Sequence, residues 1–238
     1  MSDFDRNVAA FPGAARTVAV DAGLRAHMIR VYNYMAGGVA LTGAVAYFTN
    51  LYFGPQLQGS PLIYVLIFAP FLLVMFLSFR IESLSAPTAR LLFFVYAALL
   101  GASLSTIFAV YTGTSITRTF FVSAASFGAL SLWGYTTQRD LSAMRSFLIM
   151  GLFGVIIASL VNMFIASTML QWIVSVVGVL VFAGLTAYDT QRLKTEYMYG
   201  AMEGEVLERS AIMGALSLYL DFLNLFTMLL SLLGNRDE

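Results

Sequence analysis

The sequence contains no cysteine and a single histidine, so two common sources of metal ligands and nucleophiles are almost missing. Without cysteine there is no disulfide framework, no thiolate nucleophile and no cysteine-based metal site. The one histidine, His27, precedes the first apolar run and is predicted to be an ordinary interfacial residue. The only lysine, Lys194, lies at the end of an apolar run and not in its middle, which argues against a retinal-type receptor.

Charged residues are also scarce, at 11% of the chain, which is less than half of the roughly 25% found in soluble domains. Hydrophobic residues make up 59% of the chain, and the mean hydropathy is +0.81. Thirteen basic and thirteen acidic residues give a formal net charge of zero, which argues against binding to nucleic acid. The composition therefore predicts an integral membrane protein.

The first thirty residues are polar and of mixed charge. No apolar segment precedes a small-residue cleavage site in this stretch, so we do not expect a cleavable signal peptide. Residues 1–29 are predicted to form an N-terminal tail, in which residues 14–30 could lie on the membrane as a surface helix.

Charges, prolines and turn residues divide the apolar part of the chain into seven segments, each close to the 20 or so residues that a membrane-spanning helix needs. The uncharged run 31–79 is broken by turn residues at 54–61. The uncharged run 146–188 would form a helix of about 64 Å, twice the thickness of the hydrocarbon core, and is predicted to turn near 166–169. The predicted spans are about 30–49, 61–82, 88–111, 116–136, 145–166, 170–191 and 210–233. Together they predict an all-α membrane domain over 30–234, with a short tail at 235–238.

Basic residues are distributed unevenly between the two sides of this predicted bundle. Eleven of the thirteen lie in the N-terminal tail or near the connections between spans 2 and 3, 4 and 5, and 6 and 7. The opposite side has only Arg118 and Arg236. Because lysine and arginine accumulate on the cytoplasmic side, the N-terminus is predicted to be cytoplasmic and the C-terminus to lie on the other side.

The last apolar stretch, 210–233, carries a carboxylate, Asp221, in its middle. A charged side chain at the centre of the bilayer costs about 2.5–3.5 kcal/mol on insertion scales, so it is expected to face a partner or water. A helical projection places the polar residues of this stretch on about a third of the circumference: Ser217, Asp221, Asn224, Thr227 and Ser231. This pattern predicts a helix whose polar face points into the protein.

A second carboxylate, Asp189, lies at the cytoplasmic end of the predicted sixth span, and Arg80 ends the second span on the same side. Antiparallel neighbouring helices could bring Asp189 and Asp221 together, with Arg80 as the counter-ion of Asp189. At ~4 Å and an effective dielectric of about 20, two carboxylates would repel each other by about 4 kcal/mol. They would therefore share a proton and titrate as a unit.

Such a pair could bind a proton or a hard cation such as Ca²⁺, which prefers oxygen ligands. The predicted ion site consists of Asp189 and Asp221, and its supporting polar lining is drawn from Thr186, Ser217, Asn224 and Thr227. The alternative is that each aspartate only caps or cross-links helices, for example through an Asp189–Arg80 pair. No catalytic residue and no cofactor are predicted.

Two motifs are familiar: AGLTAYDTQRLK at 183–194 and GALSLYLDFLNLFTMLLSLLG at 214–234. They closely resemble the last two helices of the Bax inhibitor-1 family, whose bacterial members form the YccA-like group. The segment RVYNYMAGGVALTGAVAYF at 30–48 is similar to the opening of the same family. The resemblance extends over essentially the whole membrane region. It implies a seven-helix bundle in a bacterial inner membrane, with the C-terminal helix enclosed by the other six.

The resemblance also implies a function. Studied bacterial relatives conduct Ca²⁺ as a pH-sensitive leak that is gated by a hydrogen-bonded aspartate pair, and Asp189 and Asp221 match that pair by motif. In the closed form of such relatives an arginine of the second helix holds the aspartate of the sixth. Arg80 fits this position by depth. Ca²⁺ and protons are then the expected ions.

Two other functions are compatible with the sequence to different degrees. A non-transporting regulator would bind other membrane proteins, such as a quality-control protease, through the N-terminal tail and a charged loop at 192–209. An intramembrane aspartyl protease would carry its second aspartate in a Gly-x-Gly-Asp setting, whereas the motifs here are AYD and LYLD. The protein is therefore predicted not to be an enzyme.

Overall fold

The computed structural model describes residues 12–57, 60–200 and 202–235, and within these residues every regular element is helical. The predicted all-α class is confirmed. The helices are α1 (Pro12–Leu57), α2 (Leu62–Arg80), α3 (Ala86–Leu104), the one-turn α4 (Ile107–Val110), α5 (Gly113–Thr136), α6 (Arg145–Ile165), α7 (Thr168–Tyr199) and α8 (Gly204–Leu233). Of the predicted tails at 1–29 and 235–238, residues 1–11 and 236–238 lie outside the described residues.

Four segments are long and apolar enough to cross a membrane by length and composition. They are Ala86–Val110, Ser142–Ile165, Thr168–Tyr199 and Gly204–Leu233. The apolar stretch of α2, Tyr64–Arg80, is shorter. The seven predicted spans each correspond to a helix of at least 19 residues in the described part of the chain, but the number of crossings stays a prediction.

The sixth and seventh long helices, α7 and α8, form an antiparallel pair. Ser175 of α7 donates a hydrogen bond to Ser231 of α8 at 2.9 Å, and near the other end Leu193 fills the space beside Gly214. Helix α8 also packs against α1, α3 and α5. Half of its most apolar window is buried inside the protein, against 11% for the window in Ser142–Ile165. Helix α8 is therefore much more enclosed than α6.

Helices α1 and α7 are both longer than a bilayer requires. Helix α7 has 32 residues, which is about 48 Å against a hydrocarbon core of about 30 Å. The loop predicted to begin at 192 is wrong, because the chain stays helical to Tyr199. Charges show where a helix leaves lipid, and a helix can continue into water. Residues 12–29 of α1 and 192–199 of α7 extend beyond the predicted spans. We call these two extensions, with the connection 137–144, the charged end of the bundle.

The two extensions pack against each other at this charged end. The ring of His27 on α1 stacks on the ring of Tyr197 on α7, with centroids 5.1 Å apart. His27 is only 3% exposed, and both of its ring nitrogens lack a hydrogen-bond partner among the described residues. His27 is therefore part of a helix–helix contact, and its depth at the membrane interface stays a prediction.

Close helix contacts elsewhere depend on small residues. A Cβ atom added to Gly134 of α5 would lie 2.3 Å from the backbone oxygen of Ala187 on α7. This is less than any van der Waals contact, and a backbone atom cannot move aside as a side chain can. A Cβ atom added to Gly128, on the same helix, would meet nothing within 4 Å. The position of α7 beside α5 therefore requires glycine at 134 but not at 128.

We predict that Gly134→Ala lowers the stability of the purified protein and Gly128→Ala does not. Overpacking costs about 1–3 kcal/mol, whereas alanine in an open helical position gains up to about 1 kcal/mol over glycine. The measurement is the temperature at which half of the protein remains monodisperse in detergent. Equal temperatures for the two variants would contradict this account of the α5–α7 contact.

We also predict that acid weakens the contact between the two extensions. Burial, and secondarily the nearby Arg30, lower the pKa of His27 from its ordinary value of 6.5. His27 in the folded state then binds a proton less readily than in the unfolded state. The free energy of unfolding is therefore highest above about pH 6.5 and decreases as the pH falls below this value, by up to about 1.4 kcal/mol per pH unit.

The measurement compares thermal stability at pH 7.5 and pH 5.5 in the wild type and in His27→Phe, which keeps an aromatic ring but cannot titrate. The wild type should lose more stability on acidification than His27→Phe. Tyr197→Phe, which keeps the stacked ring, is the control and should behave as the wild type. The same pH dependence in the wild type and in His27→Phe would refute the prediction.

Candidate functional site

The two predicted aspartates lie together between α7 and α8. Asp189 is 7% exposed and Asp221 is 5% exposed. Their carboxyl groups are close enough to share a hydrogen bond. A hydrogen bond between two carboxyl groups needs one proton between them, because an ionised carboxylate can only accept. The Oδ2 atom of Asp221 has no hydrogen-bond partner among the described residues.

The cation beside the pair is Arg192, which follows Asp189 by one turn of α7. Its Nη1 lies 3.1 Å from Oδ1 of Asp189, and its Nη2 donates a hydrogen bond to Oγ of Ser217 on α8 at 3.2 Å. Its Nε lies 3.3 Å from Oε1 of Glu196 but makes no hydrogen bond, so that contact is an ion pair only. Arg192 therefore connects the two helices that carry the aspartates.

The predicted pair between Asp189 and Arg80 is not formed. Arg80 is the last residue of α2, its side chain is exposed, and α2 packs against α3. The continuous helix α7 instead places Arg192 at the i+3 position from Asp189, where two side chains of a helix lie on the same face. The sequence did contain this signal, in the spacing of DTQR, but it is visible only if α7 is taken to continue past its apolar part.

The predicted polar lining is only partly at the pair. Ser217 contacts the site through Arg192. Thr186, Asn224 and Thr227 use their donors within their own helices, on the backbone oxygens of Phe182, Leu220 and Asn224. They make the helix faces polar and form no hydrogen bond to either carboxylate.

A chain of hydroxyl groups next to Asp189 was not predicted. Thr190 of α7 donates to the backbone oxygen of Thr186 at 2.8 Å, and its oxygen lies 3.0 Å from Oγ of Ser131 on α5. The Ser131 hydroxyl is in turn hydrogen-bonded to Tyr32 of α1. Three helices are thus joined by neutral hydrogen bonds beside the charged pair, and such bonds hold α7 in place when the charges of the pair change.

A resident metal site would need more ligands than the pair supplies. Ca²⁺ takes six to eight oxygen ligands. Among the described residues no group of three or more histidine, cysteine, aspartate or glutamate side chains is close enough to hold a metal. Arg192 also occupies one of the two carboxylates. The geometry suits a proton shared by two carboxyls, or a cation that stays only briefly.

Comparisons with known proteins agree on the kind of protein this is. A family model described as "Inhibitor of apoptosis-promoting Bax1" matches residues 24–238. The Inner membrane protein YbhL of Escherichia coli K12 is 46% identical over 230 residues, which cover 95% of this chain and 98% of that protein. The uncharacterized protein RP147 of Rickettsia prowazekii is 45% identical over 92% of this chain and 93% of its own length. An uncharacterized membrane protein of Streptococcus pyogenes is 38% identical over 91% of this chain and 96% of its own length.

We predict that Arg192→Gln destabilises the protein more than Arg90→Gln. Arg192 forms an ion pair with a buried carboxylate and donates a hydrogen bond to a hydroxyl of the neighbouring helix, and losing a hydrogen bond that involves a charged group costs about 1.5–3 kcal/mol. Arg90 forms a looser pair with Glu208, at 3.7 Å with the arginine exposed and the glutamate partly exposed, and such pairs contribute about 0–1 kcal/mol.

Thermal stability in detergent at a pH near 7 measures both effects. The double variant Arg192→Gln with Asp189→Asn tests the cause, because it removes the unpaired buried carboxylate that the single change leaves behind. It should be more stable than Arg192→Gln alone. If Arg90→Gln proves as harmful as Arg192→Gln, the special role of Arg192 is refuted.

Proposed function

The chain belongs to the Bax inhibitor-1 family of integral membrane proteins, and we propose that it conducts Ca²⁺ as a pH-sensitive leak gated by the Asp189–Asp221 pair. The observation that supports this most is the pair itself: two acidic side chains buried in contact, on two helices of high hydropathy, with one arginine between the helices. An uncompensated carboxylate in a membrane is expensive and is usually kept for moving ions or protons.

The proposal includes an arrangement in the membrane. All seven long helices cross the bilayer, α8 is surrounded by the others, and the charged end is cytoplasmic in a bacterial inner membrane. Supporting observations are the contacts of α8 with α1, α3, α5 and α7 and the bias of eleven basic residues to one side. The name of the E. coli relative, Inner membrane protein YbhL, fits the same location.

The gating proposal follows from the charges at the pair. With one shared proton, the two carboxyls carry one negative charge, which the Arg192 guanidinium balances. Removing that proton leaves two negative charges facing each other, and adding a second proton leaves Arg192 without a carboxylate. Either change alters the attraction between α7 and α8 by on the order of 4 kcal/mol, which is enough to move a two-state equilibrium by orders of magnitude. The other charges near Asp189 are Glu196 and Arg145.

In this proposal Ca²⁺ is the permeant ion and not a resident cofactor. A cation that passes the pair meets two carboxylates but too few ligands to be trapped, and conduction requires binding that is favourable but weak. The pair has no catalytic role.

One observation favours the second function, regulation through binding to other membrane proteins. A cavity of about 780 Å³ lies at the charged end, between the 137–142 connection and the extension of α7. Its walls include Arg139, Lys194 and Glu196. A polar surface of mixed charge outside the membrane is suited to a protein partner such as a quality-control protease.

We predict that Asp189→Asn and Asp221→Asn each abolish the pH dependence of Ca²⁺ flux through proteoliposomes. Asparagine keeps the size of the side chain but cannot exchange a proton, so the pair loses its titration. The measurement is the Ca²⁺ efflux rate between pH 6 and pH 8, normalised to the amount of protein. Glu196→Gln is the matched control: it also removes a carboxylate beside Arg192, but an exposed one, and should keep the pH dependence of the wild type.

An unchanged pH dependence in both asparagine variants would refute gating by the pair. A variant that carries both Asp189→Asn and Asp221→Asn tests the second function, because a partner that binds at the charged end should still co-purify with a protein that lacks both aspartates. Absence of Ca²⁺ flux in the wild type, together with retained co-purification, would favour the regulator.

A further inference from the structure

A second cavity lies at the end of the bundle opposite the charged end. It has a volume of about 600 Å³ and is bounded by α6, α7 and the last turns of α8. Its polar wall is formed by Ser159 and Asn162 of α6, Thr168 and Gln171 of α7, and Thr227 and Ser231 of α8. No charged residue lines it. Neither gating by the aspartate pair nor partner binding at the charged end involves this cavity.

The backbone builds this cavity at a sharp turn. Helix α6 ends at Ile165, and Ala166 adopts a left-handed conformation with φ of 52°. The Oδ1 atom of Asn162 accepts a hydrogen bond from the backbone nitrogen of Ser167 at 3.0 Å, which stabilises the reversal. Hydroxyl and amide groups in the bilayer must face protein or water, because lipid tails offer no hydrogen bonds. A space of this size holds about 20 water molecules at liquid density.

The polar face of α8 leads from this cavity toward the aspartates. Thr227 lines the cavity and donates a hydrogen bond to the backbone oxygen of Asn224 at 3.0 Å. Asn224 lies one turn closer to Asp221, and the distance along the helix from Thr227 to Asp221 is about 9 Å. The cavity and the carboxylate pair therefore lie along the same polar face of α8.

An apolar contact separates the two. Met228 lines the cavity and packs against Gly178 of α7 so closely that a Cβ atom on Gly178 would lie 2.9 Å from the Met228 sulfur. Methionine is unbranched and flexible, so it can fill such a gap and also leave it. The absence of a side chain at Gly178 provides the space that Met228 occupies.

We propose that this cavity is a water-filled vestibule on the non-cytoplasmic side of the ion path, and that Met228 seated on Gly178 closes it toward the aspartate pair. The passage of ions through this cavity rests on the proposed function, whereas its water content and its closure by Met228 do not. The ligands that the vestibule accepts are hydrated cations, held by neutral hydroxyl and amide oxygens. Because it carries no net charge, it admits them without trapping them.

The absence of cysteine from the chain allows a direct test. Ser159→Cys places a thiol in the cavity wall, six residues before the end of α6, about 9 Å into the helix. Leu160→Cys is the matched control, at the same depth on the same helix but 53% exposed on the outer surface. Each protein is treated in right-side-out membrane vesicles with a charged, membrane-impermeant methanethiosulfonate reagent.

If the cavity holds water, Ser159→Cys should react at least tenfold faster than Leu160→Cys. Equally slow reaction of both thiols would mean that lipid or protein fills the space, and would overturn the proposal. Asn162→Cys provides a second reporter if Ser159→Cys does not fold. The wild type contributes no background, because it contains no thiol.

The closure by Met228 is tested with Asn224→Cys, which lies on the far side of the contact. This thiol should be unreactive on its own and should become reactive from the non-cytoplasmic side when Met228→Ala is added. Reaction in both backgrounds, or in neither, would refute the closure. Since these measurements involve no ion flux, a protein that conducts no Ca²⁺ would refute the proposed function and leave the vestibule intact, and the reverse outcome is equally distinguishable.

Discussion

The structure depends on keeping two carboxylates in contact inside a bundle of apolar helices. Isolated, each would be too costly at that depth, and together they would repel each other unless a proton is shared and a cation stands beside them. Arg192 supplies the cation by bonding Asp189 and the Ser217 hydroxyl of α8. This requires α7 to stay helical beyond its apolar part and to lie close to α8. The near contact of Gly134 with the α7 backbone and the hydroxyl chain from Thr190 to Tyr32 hold it there.

The sequence predicted a helical membrane protein and singled out the two aspartates, because a carboxylate in an apolar run is conspicuous whatever the fold. It did not predict their cation. The charged sequence after 191 predicts a loop that contains Arg192, but charge marks only contact with water and not the end of a helix. Depth in the membrane favours Arg80 as the counter-ion. Depth does not determine the place of a helix in the bundle or its rotation about its own axis. Both depend on packing between segments that are distant in the sequence.

For the neutral polar residues too, the sequence predicts their position on a helix but not their partners. Their spacing predicted a polar face on α8, and the structure has one, extending from Ser217 to Ser231. The partners of that face could not be predicted, because serine and threonine in a helix can bond their own backbone or another helix with little difference in sequence. Thr186 and Thr227 do the first, and Ser217 and Ser231 the second. The length of the uncharged run predicts a turn near 166–169, but not the αL conformation of Ala166, since no glycine marks it.

The length of α7 has a mechanical consequence. Asp189 and Tyr197 belong to one unbroken helix and are about 12 Å apart along its axis. A helix of this length moves as a stiff rod, so a tilt applied at its protruding tip reaches the buried carboxylate without any bond being broken between them. Tyr197 is stacked on His27, which belongs to the equally continuous α1. The two helices therefore form a mechanical connection to the buried pair, and a force applied at the His27–Tyr197 contact acts on the carboxylates without direct contact with them.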